Sequence, residues 1–211
     1  VAFGYQALNA NTTGANNTAI GKGALDANTT ASDNTAVGEN SLSANTTGTD
    51  NVALGVSALA NNTTASNNTA LGRKTLLTNS TGFNNTAVGN RGLHNNTTGT
   101  NNVAIGTEAL DANTTQSNNV AIGHRSLTNQ TVADQNTAVG ADTMFLNQTG
   151  EYNTAMGFMA LYNNTTDNNT ALGYQAMLNN TTGTQQTAVG NLALDANTTG
   201  NYNQAFGYGA L

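Results

Sequence analysis

Apolar residues recur along this chain in two short groups, and the pair of groups repeats every 17 residues. The first group is an alanine, then a large apolar residue, then a glycine, as in Ala19-Ile20-Gly21 and Ala36-Val37-Gly38. The second lies four residues past the glycine, where Leu25, Leu42, Leu59 and their counterparts stand, with Met144 and Met177 as the two exceptions. A small residue always precedes that Leu or Met. Between the groups the chain is polar and writes Asn-Thr-Thr and Asn-Thr again and again. Thirteen repeat glycines, Gly4 to Gly207, are spaced 17 apart except for the step from Gly157 to Gly173, which is 16.

A 17-residue unit is too short for a repeating helical hairpin, and its density of Asn, Thr and Gly opposes helix. Thr-Ala-Val alternates as a short strand does. The pattern therefore predicts an all-β fold, a parallel β-solenoid (β-roll) of about 12–13 coils of 17 residues. Coils stacked at the strand spacing of roughly 4.8 Å would form a rod about 60 Å long. The constant glycine marks a bend or a positive φ. The short step falls near Asp167, and it predicts a turn there, because a deletion within a strand would reverse every side chain beyond it.

Strand alternation puts the alanine and its large neighbour on opposite faces. With the large residue inward, the core is Ile20, Val37, Leu54, Leu71, Val88 and Ile105, joined by Leu25, Leu42 and Leu110. The alanine column, Ala2 to Ala205, then faces out, and its uniform smallness fits close packing against another chain. The competing reading makes alanine a cramped interior corner. Two large apolar side chains per coil form a thin core, which favours a homo-oligomer.

Asparagine stands seven residues past the glycine in every complete repeat except one, which has Gln130, and threonine two further on, except at Val132. Many of these triplets, such as Asn28-Thr29-Thr30, fit the glycosylation pattern N-x-T. A continuous ladder through Asn28, Asn45, Asn62, Asn79 and Asn96, each amide bonding the next, explains the same column. The ladder is the expectation, since glycans at rung spacing would collide.

Composition narrows the function. Charged residues make up 8% of the chain and the formal net charge is −6, which argues against nucleic-acid binding. No apolar run is long enough for a membrane span, and absent cysteine removes thiol and disulfide chemistry. His94 and His124 occupy different coil positions, acids such as Asp26, Glu39, Asp134 and Asp142 are scattered, and no catalytic cluster, metal site or cofactor is expected. Three surface features remain. Lys74, Arg91, Glu108, Arg125 and Asp142 share a column, which places Glu108 between two arginines. Phe158, Tyr174 and Tyr208 form a broken aromatic stripe, with Tyr162 nearby, suited to stacking on sugars. Thr12, Thr13 and their repeats form ranks like those of ice-binding surfaces, or a ladder supporting the turn.

The unit N-T-A-[VI]-G-x-x-A-L-x-x-N-T-T-G resembles the arrays of bacterial and phage tail-fibre-domain proteins, often found upstream of a self-cleaving trimerisation chaperone. It is similar, more loosely, to the A-[VI]-G repeats in the heads of trimeric autotransporter adhesins. The resemblance spans the whole chain and implies a homotrimeric β-roll on a cell-surface or virion fibre. The leading expectation is a non-enzymatic extracellular structural or adhesive fibre segment. Ice binding is the alternative, and a glycan-binding module a weaker one. Residues 1–211 are read as one array within a longer fibre or an end-to-end filament, because Phe3 and Phe206 would otherwise lie on open end rungs.

Overall fold

A computed structural model describes residues 1–211. Thirteen short strands run from β1 (Ala2–Phe3) and β2 (Thr18–Ile20) to β13 (Gln204–Phe206), with β10 (Thr154–Met156) and β11 (Thr170–Leu172) flanking the short repeat. They form one parallel sheet in strict sequence order. Each coil of the β-solenoid contributes one rung, and like residues pair with like: Ala19 with Ala36, Ile20 with Val37. The 16-residue coil keeps this register, since Thr154 still pairs with Thr170 and Ala155 with Ala171. The missing residue is taken up in the polar turn near Asp167, as its position predicts.

The strand's inside and outside are the reverse of the expectation. The alanines face the lumen, and from Ala19 to Ala188 all are fully buried. Ile20, Leu54 and Ile105 stand outward with 39%, 47% and 38% of their surface exposed, and Val37, Leu71 and Val88 are half-buried. The reason is lumen width. Each cross-section already holds a Leu, the small residue before it, and two asparagine side chains (those of Leu42, Ser41, Asn45 and Asn51 in one coil), all fully buried. Only a methyl group fits opposite them. The uniform alanine is therefore the cramped interior corner, and the large residue is displaced to the outer face.

Leu25, Leu42 and Leu110 do fill the core, together with Met144, Met177 and the other leucines of that column from Leu59 to Leu194. They do so from a left-handed backbone, with φ near +50° at Leu25, Leu42 and Leu59. That conformation is uncommon for a bulky residue. The repeat glycine turns the corner: Gly55 has φ +136°, and a Cβ there would lie 2.5 Å from the carbonyl oxygen of Gly72 in the next coil.

Candidate functional site

The polar corner is built first, because it holds the coils in phase. Asn28 donates from Nδ2 to Asn11 Oδ1 at 2.8 Å, and the same bond joins Asn45 to Asn28, Asn62 to Asn45, Asn79 to Asn62 and Asn96 to Asn79, at 2.8 to 3.2 Å. Each of these amides also caps its own turn, as Asn45 does by donating to Gly48 O at 2.9 Å. The Asn28, Asn45, Asn62, Asn79 and Asn96 side chains are wholly buried, so the nitrogen a glycan needs is inside the coil. The ladder reading holds for this column.

A second asparagine column, just before each strand, is also a ladder. Asn34 N donates to Asn17 Oδ1 and Asn51 N to Asn34 Oδ1, each at 3.0 Å. Its amides reach the carbonyl that the first column caps, so Ala31 O accepts from both Asn28 and Asn17, using both lone pairs. The asparagine four residues before the repeat glycine, replaced only by Gln186, carried this signal in the sequence.

The Thr12 rank supports the turn. Thr12 Oγ1 donates to Thr29 O at 2.8 Å, and Thr29, Thr46 and Thr63 continue the series. These hydroxyls are already engaged. The neighbouring rank, Thr13 and Thr30, is exposed.

The charged column pairs differently from its expected stacking. Arg91 reaches across to Asp111 at 2.7 Å and Arg125 pairs with Asp142 at 2.7 Å, while Glu108 joins no ion pair. The hydrogen bond and charge of Asp111 hold the Arg91 guanidinium above its ordinary pKa. Lys22 meets Glu39 at 3.5 Å in the open. His94 Nδ1 lies 3.0 Å from Lys74 O, and His124 is exposed. Asp134 accepts from Ser117 N at 2.6 Å. Of these groups, His94 and Asp134 meet backbone and Glu39, Asp111 and Asp142 pair with nearby cations.

The aromatic stripe is partly assembled. Phe158 and Tyr174 stack at 5.7 Å with 16° between their planes, whereas Tyr208 stands apart at 81% exposure, with Asn191 in the coil between. A second stack, Phe145 on Tyr162 at 5.3 Å with Arg125 over the Phe145 ring, was missed. Both residues lie five past their glycines, Gly140 and Gly157, which was the available signal. A pocket of about 290 Å³ lies at the last coil among Leu194, Asn197, Asn203 and Leu211.

The most extensive unpartnered feature is the outer strand face. One column runs Phe3, Ile20, Val37, Leu54 through Met156 and Leu172 to Phe206, one apolar side chain per rung. Beside it, Thr18, Thr35, Thr69 and Thr86 present half-buried side chains on the same face. At roughly 4.8 Å per rung the apolar strip is about 60 Å long. A contiguous strip of this kind marks an interaction surface more often than ordinary monomer surface.

Searches against protein-family models, curated proteins and solved structures returned no match.

Proposed function

We propose that the chain is a non-enzymatic, extracellular structural or adhesive fibre segment, carried on a cell surface or virion, that associates with copies of itself through the outer strand face. The observation that carries this reading is the outward apolar column. A soluble chain gains by covering a strip of Ile, Val, Leu, Met and Phe, at about 25 cal/mol per Å² of apolar area removed from water. A flat, regular strip is matched best by the same strip on another copy, in a cyclic assembly. The resemblance to tail-fibre and adhesin-head repeats points to three copies. No nucleic acid, membrane insertion or cofactor enters this reading.

Sedimentation of the wild type and of a Leu54→Asp/Ile105→Asp variant tests it. The wild type should sediment as an oligomer, and the variant, whose changes lie outside the core, should become a monomer with the same circular dichroism. A wild type that stays monomeric at high micromolar concentration overturns the proposal.

Ice binding is the second reading, moved from the Thr12 rank to the strand-face threonines, because a hydroxyl rank beside an apolar rank is flat and regular. Thermal hysteresis lost on Thr69→Tyr and Thr86→Tyr would establish it in place of self-association. Stacking of a sugar on Phe158 and Tyr174 is a local addition to either reading, checked on a glycan array with Tyr174→Ala.

A further inference from the structure

The ladders of the polar corner do not run the length of the rod. The first asparagine ladder passes through six consecutive bonds, from Asn28 on Asn11 to Asn113 on Asn96, and then breaks, with one further bond of the kind, Asn180 on Asn164, three coils beyond. The coil after Asn113 has Gln130 in this column, and its amide turns to Ala133 O, while Asn136 donates to its Oε1. Asn113 Oδ1 is left buried with no donor.

The hydroxyl ladder ends at the same place. It runs from Thr12 through Ser80 to Thr97, whose Oγ1 donates to Thr114 O at 3.0 Å; the column then passes through Thr114, Thr131 and Gln148 without such a bond and resumes at Thr165, which donates to Thr181 O at 2.8 Å. The backbone also changes. Thr97 N and Thr98 N both donate to Thr114 O in the next coil. Thr114 N and Thr115 N instead turn to Gln116 Oε1 within their own coil. Gln116 occupies the position that is Gly or Ala in most other repeats.

Three independent series of inter-coil bonds therefore lapse between residues 113–116 and 130–133. On either side the coils stay joined, by Ala112 N to Thr128 O at 3.0 Å and by Ser117 N to Asp134 Oδ1 at 2.6 Å. The second asparagine ladder continues unbroken through Asn136 N to Asn119 Oδ1 at 2.9 Å.

We infer that the rod carries a built-in seam at this corner, which opens locally while the strand wall stays paired as a spine, so that the array behaves as two blocks joined by a hinge. Two physical terms favour opening here. Of the inter-coil bonds at these four positions, only the one from Asn119 Nδ2 to Ala133 O, at 3.3 Å, is lost when the corner parts. Water admitted to the slit supplies the donor that Asn113 Oδ1 lacks, whereas at any other rung of the first block the same opening breaks an amide bond, a hydroxyl bond and a backbone bond. The inference does not depend on the fibre reading, because it concerns bonds within one chain.

Native-state hydrogen exchange on the full chain, followed by mass spectrometry of overlapping peptides, tests it. Thr114 and Thr115 amides are expected to exchange at least tenfold faster than Thr97 and Thr98, which occupy the same places one coil earlier. Gln116→Gly with Gln130→Asn should restore the consensus bonds and remove that difference. In the reverse experiment, Ala65→Gln with Asn79→Gln, at a repeat that already accepts a Cβ, should create a new fast site at Thr63, whose amide now donates to Ser80 O at 3.2 Å. Equal exchange of the two pairs in the wild type, or a difference that survives the restoring variant, overturns the inference. If the restoring variant fails to fold, the wild-type comparison and the transplanted seam decide the matter.

Discussion

At the residue scale the fold is set by which positions accept a Cβ. Gly55 and Gly92, two repeats apart, make opposite demands. Gly55 has φ +136° and backbone of the next coil in the way, whereas a Cβ on Gly92 would meet nothing nearer than 3.7 Å and would point into the interior. Gly55→Ala should therefore cost about 3 kcal/mol or more. Gly92→Ala should stabilise by about 0.4–1 kcal/mol, through a less free unfolded chain and a filled site. Thermal or urea unfolding of the two variants checks the signs. The glycine bend was legible in the sequence, because the glycine itself never changes while the residues beside it do. The left-handed leucines were not, since nothing in a Leu column announces a positive φ. That conformation is imposed by the need to aim the side chain inward from a tight corner.

At the scale of the strand and its adjoining turns, the sequence revealed strand type and register but not strand orientation. A three-residue Thr-Ala-Val has two phases, and side-chain size alone suggested that the larger residue is inside. Ile20, Val37, Leu54, Leu71, Val88 and Ile105 are outside because Leu and two asparagines occupy the lumen first. The asparagines are thus core residues, and their removal should weigh as such. Asn62→Ala takes the donor from Asn45 Oδ1 and the acceptor from Asn79 Nδ2. Each buried group so orphaned costs about 1–3 kcal/mol. The exposed neighbour Asn61→Ala should change stability by no more than about 0.5 kcal/mol. Chemical denaturation of the pair measures the contrast.

At the scale of the whole molecule, candidate sites were legible only where they followed the repeat. The Asn28 ladder follows from a constant column. The Arg91–Asp111 pair and the stack of Phe145 on Tyr162 join residues in changing columns, whose meeting depends on side-chain reach. The 16-residue coil has a consequence of another kind. Its strands stay paired, Thr154 with Thr170, although the turn between them has lost a residue. The Asn-Thr-Thr corner thus absorbs changes of chain length without passing them on to the next rung, as a slack link does in an otherwise stiff chain. A guest peptide placed between Thr63 and Thr64 should leave the circular dichroism unchanged and cost little, because each doubling of loop length costs only about 0.6 kcal/mol. One extra residue between Ala70 and Leu71 should instead abolish cooperative melting, since it reverses the faces of the strand. The repeat therefore has one corner at which foreign sequence could be displayed along the rod, at intervals set by the rung.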